Sequence, residues 1–453
     1  MWELNYVPWH VVDDTKRLPP GCSTIDIAIE EPTPSYIRSL ETNSYKPHGE
    51  GSSSSKKPDG LPERIRINSN WLIRFLNHHV YDGHLAWDPR CGLTVRRPFH
   101  PFVYENIKVR TSLEQLEATR KRRVDMDEDE YIGSYWKDPA KDWLIHDAIV
   151  EDELSVPELT ALIMDCRQLV EFLDTILLPE QERLAAVPDT VRFVDLWYLF
   201  PMGSLVYRKG THSPAQIWKV IQRSSSRRII QPLKSSRVEY GTGFQPFIIE
   251  CFYLDHDGTQ FFPVFERFRI HGFEDTQNVH DLPVVPLSVA EDRGMTPTKT
   301  ALLERSSEFI FYAKAKMSHR AYSGRSLDRD PSGMKLTKIT DNEAKNTSCY
   351  SERIDSEVII DFVRALEEIP TWQANQPSDE SHEKRVRFSD QGREPEWDDK
   401  IRAEFLDSEG NKWRIWNTLG MNPNDPNDCL ILPARVFAFV LKSRRWGMFV
   451  YPV

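Results

Sequence analysis

The sequence predicts an α+β fold, in which a mostly antiparallel, β-rich domain carries two long helices and is flanked by disordered linkers. Three features predict it. Ser155-Val156-Pro157-Glu158 encodes a helix start that is followed by apolar residues at helical spacing. The dipeptide Asp257-Gly258 separates two apolar runs, which is typical of a β-hairpin. Residues 49–58 are rich in Gly, Ser and Lys and predict a linker.

The start of the chain predicts little packed structure. Residues 1–12 contain Trp2, Leu4 and Tyr6 and could form a strand that joins a later sheet. Residues 13–62 shift toward Pro, Gly, Ser and charge, and we expect a flexible linker there. Within it, the alternation of Ile25, Ile27 and Ile29 suits one strand.

We assign residues 63–371 to the main α+β domain. It opens with strand residues at 65–67, and a short apolar helix over 71–76 follows. Asn68 or Ser69 is expected to cap that helix, because short polar side chains satisfy the free N–H groups of a first turn.

Two clusters in this domain are open to a functional interpretation. The segment 120–142 is expected to be a charged loop that starts with four basic residues, 120–123, at a helix end; a nuclear import or nucleic-acid patch is the alternative. Close spacing of His78, His79 and His84 is compatible with a metal site, but the turn between them favours a solvated loop.

Two long helices are predicted. In the first, Ser155 and Glu158 form a capping box, and apolar residues recur every three or four positions. These are Leu159, Leu162, Ile163, Cys166, Leu169, Val170 and Leu173. The second helix is expected over residues 299–319.

Most predicted strands lie in the middle of the chain. The runs at 203–207 and 217–221 precede a hairpin formed by 247–254 and 261–270. Residues 323–351 read as a polar loop.

A second linker precedes the end of the chain. Residues 372–399 are hydrophilic and predict a disordered linker. Residues 400–453 are expected to complete the same domain with strands at 429–432, 436–441 and 446–450.

Composition restricts the function class. The 58 basic and 69 acidic residues give a net charge of −11, so broad attraction of the protein to nucleic acid is not expected. No CxxC pair signals a zinc or redox site, and no apolar run is long enough to span a membrane. Without a secretory signal, we expect an intracellular protein of the cytoplasm or nucleus.

No linear motif assigns catalytic, cofactor-binding or metal-binding residues, and no cofactor is expected. Residues 294–300 approach a P-loop but lack the glycine before Lys299 and place Pro297 where an N–H is needed. Nucleophile-elbow and HExxH motifs are absent. Asp255-His256-Asp257-Gly258 fits a hairpin turn better than a calcium loop, which requires later ligands.

One short motif predicts partner docking. Lys384-Arg385-Val386-Arg387-Phe388 resembles the peptide that docks on the protein phosphatase 1 catalytic subunit. In such peptides a basic residue precedes Val-x-Phe, and the segment adds as an edge strand. Arg385, Val386 and Phe388 are therefore the candidate docking residues.

An ordered series of segments resembles a known family. The series comprises residues 193–200, 203–207, 251–258, 282–287, 319–324 and 432–442. In this order they resemble an uncharacterised domain, a domain of unknown function, that precedes the ATPase core in fungal AAA+ ATPases. The resemblance covers roughly residues 65–453.

The resemblance implies a non-catalytic region that binds protein substrates or adaptors of an AAA+ machine, or regulates it. The P-loop motor of that family has no counterpart in this sequence, so we expect a truncated product or a stand-alone relative. The alternative is a cryptic hydrolase or metal-dependent enzyme without a linear motif.

Partner recognition could use exposed strand edges and the aromatic residues Trp197, Tyr207 and Trp218, although helical spacing favours a core position for Trp197. His319 and Tyr322 are expected to mark a helix end before Gly324.

Overall fold

The computed structural model describes residues 4–7, 12, 23–28, 60–83, 85, 87, 90–125, 154–209, 214–224, 244–339, 346–374 and 395–450. Helices and mostly antiparallel sheets alternate along these residues, which confirms the predicted α+β class. The described residues fall into two compact units, one within Met1–Leu184 and one within Ala185–Arg228 and Tyr240–Val453. No helix among them is both long and apolar enough to cross a membrane.

The first unit contains one sheet and four helices. Its strands are β1 (Asn5–Val7), β2 (Ile25–Ala28), β3 (Arg64–Ile67) and β4 (Leu93–Arg96). They lie in the order β1-β2-β3-β4; the β1–β2 pair is parallel and the other pairs are antiparallel. The helices are α1 (Asn70–His79), α2 (His100–Asp125), α3 (Val156–Phe172) and α4 (Leu178–Ala185). Strand β2 lies inside the segment 13–62, at the alternating isoleucines that predict one strand within an otherwise linker-like segment.

Both helix starts predicted for this unit are confirmed. The Ser69 side chain accepts a hydrogen bond from the N–H of Leu72 at 3.2 Å and caps α1. Ser155 and Glu158 form the reciprocal capping box of α3. The hydroxyls of Thr24 and Ser69 both donate to Asp165 of α3, at 2.7 and 2.6 Å, which ties this helix to the sheet.

The second unit contains two larger sheets. Its strands are β5 (Thr190–Arg192), β6 (Leu205–Arg208), β7 (Ile217–Arg223), β8 (Phe247–His256), β9 (Phe261–Ile270), β10 (Thr276–Asn278), β11 (Val284–Pro286), β12 (Ser318–Arg325), β13 (Thr337–Ile339), β14 (Asn346–Ser348), β15 (Arg353–Ile360), β16 (Val436–Val440) and β17 (Arg445–Phe449). Its helices are α5 (Leu196–Leu199), α6 (Leu287–Asp292), α7 (Lys299–Lys314), α8 (Phe362–Glu368), α9 (Pro395–Leu419) and α10 (Pro426–Leu430).

A five-stranded antiparallel sheet with the order β11-β6-β7-β8-β9 holds the main core of this unit. The predicted hairpin at Asp257-Gly258 is confirmed, with Gly258 at φ +95°, a value that favours glycine. Trp197 and Trp218 are fully buried. Arg223 lies 3.8 Å from the centre of the Trp197 ring and donates from Nε to the Trp197 carbonyl. These tryptophans are core residues and not exposed binding groups.

The other large sheet has the order β12-β15-β16-β17 and is entirely antiparallel. The chain that leaves β12 crosses to the opposite end of this sheet. There the Leu327 N–H donates to the Met448 carbonyl at 2.7 Å, and Ser326 forms a bridge with Phe449. The sheet therefore curls far enough for its first strand to meet its last strand at one end.

Several elements differ from the prediction. Helix α7 ends at Lys314 instead of His319, because Ala315 is extended and residues from Ser318 onward pair with β15. Asp425 caps a short helix that starts at Pro426, where a strand at 429–432 was expected. Helix α2 ends at Asp125 with Arg122 and Arg123 in its last turn, as expected for basic residues at a helix end, whereas α9 begins at Pro395 inside the segment 372–399, where a linker is expected.

Candidate protein-binding edge

Strand β12 is the first strand of its sheet, and among the described residues its outer side pairs with β17 only at the far end, where Ser326 bridges Phe449. Its side chains are unusually accessible for a strand. His319, Arg320, Ala321, Ser323 and Arg325 are exposed, and the remaining residues of β12 are half-buried. Unpaired edge strands are sites where another chain can add. This edge is therefore the main candidate for a functional surface.

The hydrogen-bond register shows which backbone groups of β12 face outward. In register with the β12–β15 ladder, the Ser326 N–H donates to the Glu352 carbonyl at 2.8 Å. Hydrogen-bonded pairs alternate along an antiparallel ladder, so the even-numbered residues of β12 bond to β15. The other side of β15 agrees with this assignment, because the odd-numbered Glu357 accepts from Leu441 of the β16 side at 3.1 Å.

The N–H and C=O groups of His319, Ala321 and Ser323 consequently point away from the sheet. The His319 carbonyl accepts a hydrogen bond from the Arg320 side chain at 3.0 Å. Further along, the Arg325 carbonyl accepts from the Tyr322 hydroxyl at 2.9 Å. Ala321 and Ser323 thus present the central donors and acceptors of the free edge, with small side chains beside them.

Tyr322 braces the strand from the inner face. Its ring packs against Phe449 with a centre-to-centre distance of 4.9 Å. A Cβ atom on Gly324 would lie 2.6 Å from the Tyr322 oxygen, so the ring can take this position only because residue 324 is glycine. Burial raises the pKa of Tyr322, which keeps its hydroxyl a hydrogen-bond donor.

The edge carries positive charge. The sequence from Phe309 to Leu327 contains no Asp or Glu, whereas it contains Lys314, Lys316, His319, Arg320 and Arg325. Lys314 donates to the carbonyls of Gly420 and Met421 at 3.0 and 2.9 Å and so holds the end of α9.

Two basic side chains of the strand have local partners. Arg320 donates to the Tyr312 hydroxyl at 3.3 Å, and its guanidinium lies 5.7 Å from the centre of that ring. His319 lies 3.4 Å from Glu357. Both side chains remain exposed, so they stay available to a partner placed alongside the strand.

The second unit also contains two buried clusters of charged side chains. Lys219 forms ion pairs with Glu409, at 3.1 Å, and with Asp428. Lys412 contacts the same two carboxylates, at 2.7 and 3.5 Å. Lys219, Glu409 and Asp428 are all buried, and each charge faces an opposite one. This arrangement compensates charge and links β7 to α9 and α10.

The second cluster surrounds the end of β8. Asp255 pairs with Arg435, and both are buried. Burial raises the pKa of Asp255, and Arg435 opposes that rise. Next to it, burial lowers the pKa of His256 to about 4, so its ring is neutral near pH 7. His256 accepts from the Gly258 N–H at Nδ1, at 2.9 Å, and thereby shapes the hairpin turn.

The sequence-predicted site residues are placed as follows. Arg385, Val386 and Phe388 lie outside the described residues. Tyr207 is half-buried, whereas Trp197 and Trp218 are in the core. Where the chain is described, no group of three or more His, Cys, Asp or Glu side chains could hold a metal ion.

Sequence reasoning missed the edge itself. His319 and Tyr322 were expected at a helix end, but they lie on β12. The stretch lacks the alternating apolar pattern of a half-buried strand, because most of its side chains are accessible. The available signal was compositional, namely basic residues without acidic ones.

No curated protein and no solved structure gave a match. Residues 182–291 match a family described as Domain of unknown function (DUF7025), and this segment contains all five strands of the β11-β6-β7-β8-β9 sheet and ends before β12.

Proposed function

We propose that this chain is a non-catalytic protein-binding region that takes up extended segments of substrate or adaptor proteins by adding them as a strand to β12. This is the role implied by the resemblance to the region ahead of the AAA+ ATPase core. The observation that carries the proposal is the outward-facing backbone of Ala321 and Ser323.

Strand addition suits this edge for a physical reason. Each backbone hydrogen bond formed with a partner contributes roughly 0.5–1.5 kcal/mol net, and several form together when an extended segment docks. The strand is already ordered by its pairing with β15, and the Tyr322 ring supports it from below. The partner therefore bears most of the ordering entropy.

The role proposed for the residues of β12 is recognition and not ATP turnover, because the sequence contains no P-loop. The matched domain and the edge strand have separate roles in it. The β11-β6-β7-β8-β9 sheet supplies a packed scaffold, and the sheet that starts with β12 supplies the binding edge.

The test uses a proline that removes one outward donor. Ala321→Pro deletes the N–H that faces away from β15, so no hydrogen bond of the ladder is lost, and edge positions of this kind tolerate proline. Ala321→Ser keeps the N–H and serves as the matched control. Peptides are selected from a displayed random library on the wild-type protein. We expect them to bind wild type and Ala321→Ser, and to lose at least about tenfold in affinity for Ala321→Pro. Equal binding to all three proteins contradicts the proposal.

A further inference from the structure

We infer that the segment taken up by β12 is acidic, with Asp or Glu at alternate positions. This inference rests on the proposed function and adds the chemistry of the partner to it. Strand addition by itself requires only a free backbone edge, and any extended segment could use it. The side chains around this edge select among such segments.

The first observation is the positive charge of the side chains around β12. Lys316 and Arg325 are exposed, and neither has an ion-pair partner among the described residues. Arg320 is exposed with only Tyr312 and a carbonyl oxygen as partners. A strand placed beside β12 would meet these three cations without any acidic side chain between them on the strand itself.

The register between β12 and β15 shows on which face of the sheet each basic side chain lies. Side chains of His319 and Arg325 share the solvent face of the sheet with Glu357, whereas Arg320 and Tyr322 share the opposite face with the buried Val358. Opposite charges directly across neighbouring strands attract, and like charges repel. Acidic residues of the partner would therefore sit opposite His319 on one face and opposite Arg320 on the other, whereas the position opposite Arg325 is taken by the protein's own Val450.

The same charge argues against a second copy of this chain as the occupant. Two β12 strands paired edge to edge would bring the basic side chains of both copies close together, with no acidic side chain on either strand. Cross-strand pairs of like charge destabilise such an arrangement. Basic side chains on edges also suppress self-association in general. An acidic segment of a different protein fits the edge best.

The experiment uses three capped decapeptides of alternating composition, with Val at every second position and Glu, Gln or Lys at the others. Binding of each labelled peptide to the full chain is measured by fluorescence anisotropy at about 50 mM salt, where exposed charges are weakly screened. We expect the Glu peptide to bind about tenfold more tightly than the Gln peptide, and the Lys peptide to bind more weakly than both.

Two charge variants test the residues. The double variant Arg320→Gln/Arg325→Gln is expected to lose about fivefold or more of the affinity for the Glu peptide and to keep its affinity for the Gln peptide. Arg293→Gln/Lys299→Gln removes the same charge from exposed positions outside β12 and is expected to change neither affinity. The folded state of each variant is checked by circular dichroism.

The outcomes separate the two proposals. If the Glu and Gln peptides bind equally and both are lost with Ala321→Pro, strand addition stands and the acidic preference is overturned. If the Glu peptide binds Ala321→Pro as well as wild type, the attraction is that of a polyanion to a basic surface, and both proposals fail. If none of the three peptides binds, the acidic preference is overturned, and strand addition is decided by the library-selected peptides.

A second measurement covers the case in which Ala321→Pro does not fold. The Glu peptide is N-methylated either at all Val residues or at all Glu residues, which removes the donors on one side of the extended segment. We expect one pattern to abolish binding and the other to spare it, because only one side faces β12. Equal effects of the two patterns overturn the inference.

Discussion

The ring of Tyr322 lies across Gly324, so that a Cβ atom on residue 324 would come within 2.8 Å of the ring carbon that bears the hydroxyl. Gly324→Ala is therefore expected to displace the ring and to weaken its contacts with Phe449 and the Arg325 carbonyl. We expect a loss of about 1–2 kcal/mol in the free energy of unfolding, measured by urea denaturation.

A double-mutant cycle provides the control for this prediction. In a Tyr322→Ala background the ring is gone, and the same Gly324→Ala substitution is expected to cost far less or to stabilise the strand. An equal cost in both backgrounds would show that the glycine is needed for another reason.

The ion pair between Lys219 and Asp428 predicts an asymmetric response to substitution. Lys219→Met leaves two buried carboxylates with Lys412 alone, and we expect a loss of about 3–5 kcal/mol in stability. The double variant Lys219→Met/Asp428→Leu leaves Glu409 paired with Lys412, at 2.7 Å, and is expected to recover most of that loss. Thermal unfolding of the three proteins measures the difference. A double variant as unstable as the single one would contradict the pairing.

The capping box of α3 predicts a local effect in the first unit. Ser155→Ala removes the acceptor for the Glu158 N–H and is expected to cost about 1 kcal/mol. Hydrogen exchange of the first turn of α3 reports this change directly. Ser307→Ala is the control, because the Ser307 hydroxyl donates only within its own helix, to Leu303, and its loss should change stability by less than about 0.5 kcal/mol.

His256 predicts a pH dependence of stability. Burial lowers its pKa from 6.5 to about 4. Between these values the unfolded chain binds a proton that the folded chain does not, so stability falls as the pH drops through this window. The full loss is about 3 kcal/mol below pH 4.

His256→Asn isolates this contribution, since an amide oxygen can still accept from the Gly258 N–H but does not titrate. The difference in unfolding free energy between wild type and variant is measured from pH 7.5 to 4, so that other titrating groups cancel. We expect the difference to shift against the wild type as the pH falls. A constant difference would contradict the lowered pKa.

Local signals in the sequence were sufficient where local interactions decide the structure. The Ser155 capping box, the Ser69 cap and the Asp257-Gly258 turn were predicted because each depends on residues within a few positions. Core positions such as Trp197 followed from helical spacing.

Strand pairing between residues far apart in the sequence could not be predicted from such local signals. The sequence predicts that the helix of α7 continues to His319, but pairing of Ser318 with Ile360 makes these residues a strand. That partner lies far along the chain, and no local pattern identifies it. The candidate edge was missed for the same reason, because a strand with few buried side chains looks like a polar loop in sequence.

The hydrogen bond from the Leu327 N–H to the Met448 carbonyl marks the end of the free edge of β12. Beyond this point, the backbone is hydrogen-bonded within the protein and is not accessible to a partner strand. From His319 to Gly324 the free edge is about 17 Å long, at about 3.3 Å per residue. Under the proposed strand addition, a partner would therefore contact this edge over about six residues. Because the free edge is short and basic, pairing between copies of the chain through β12 is disfavoured, which limits aggregation.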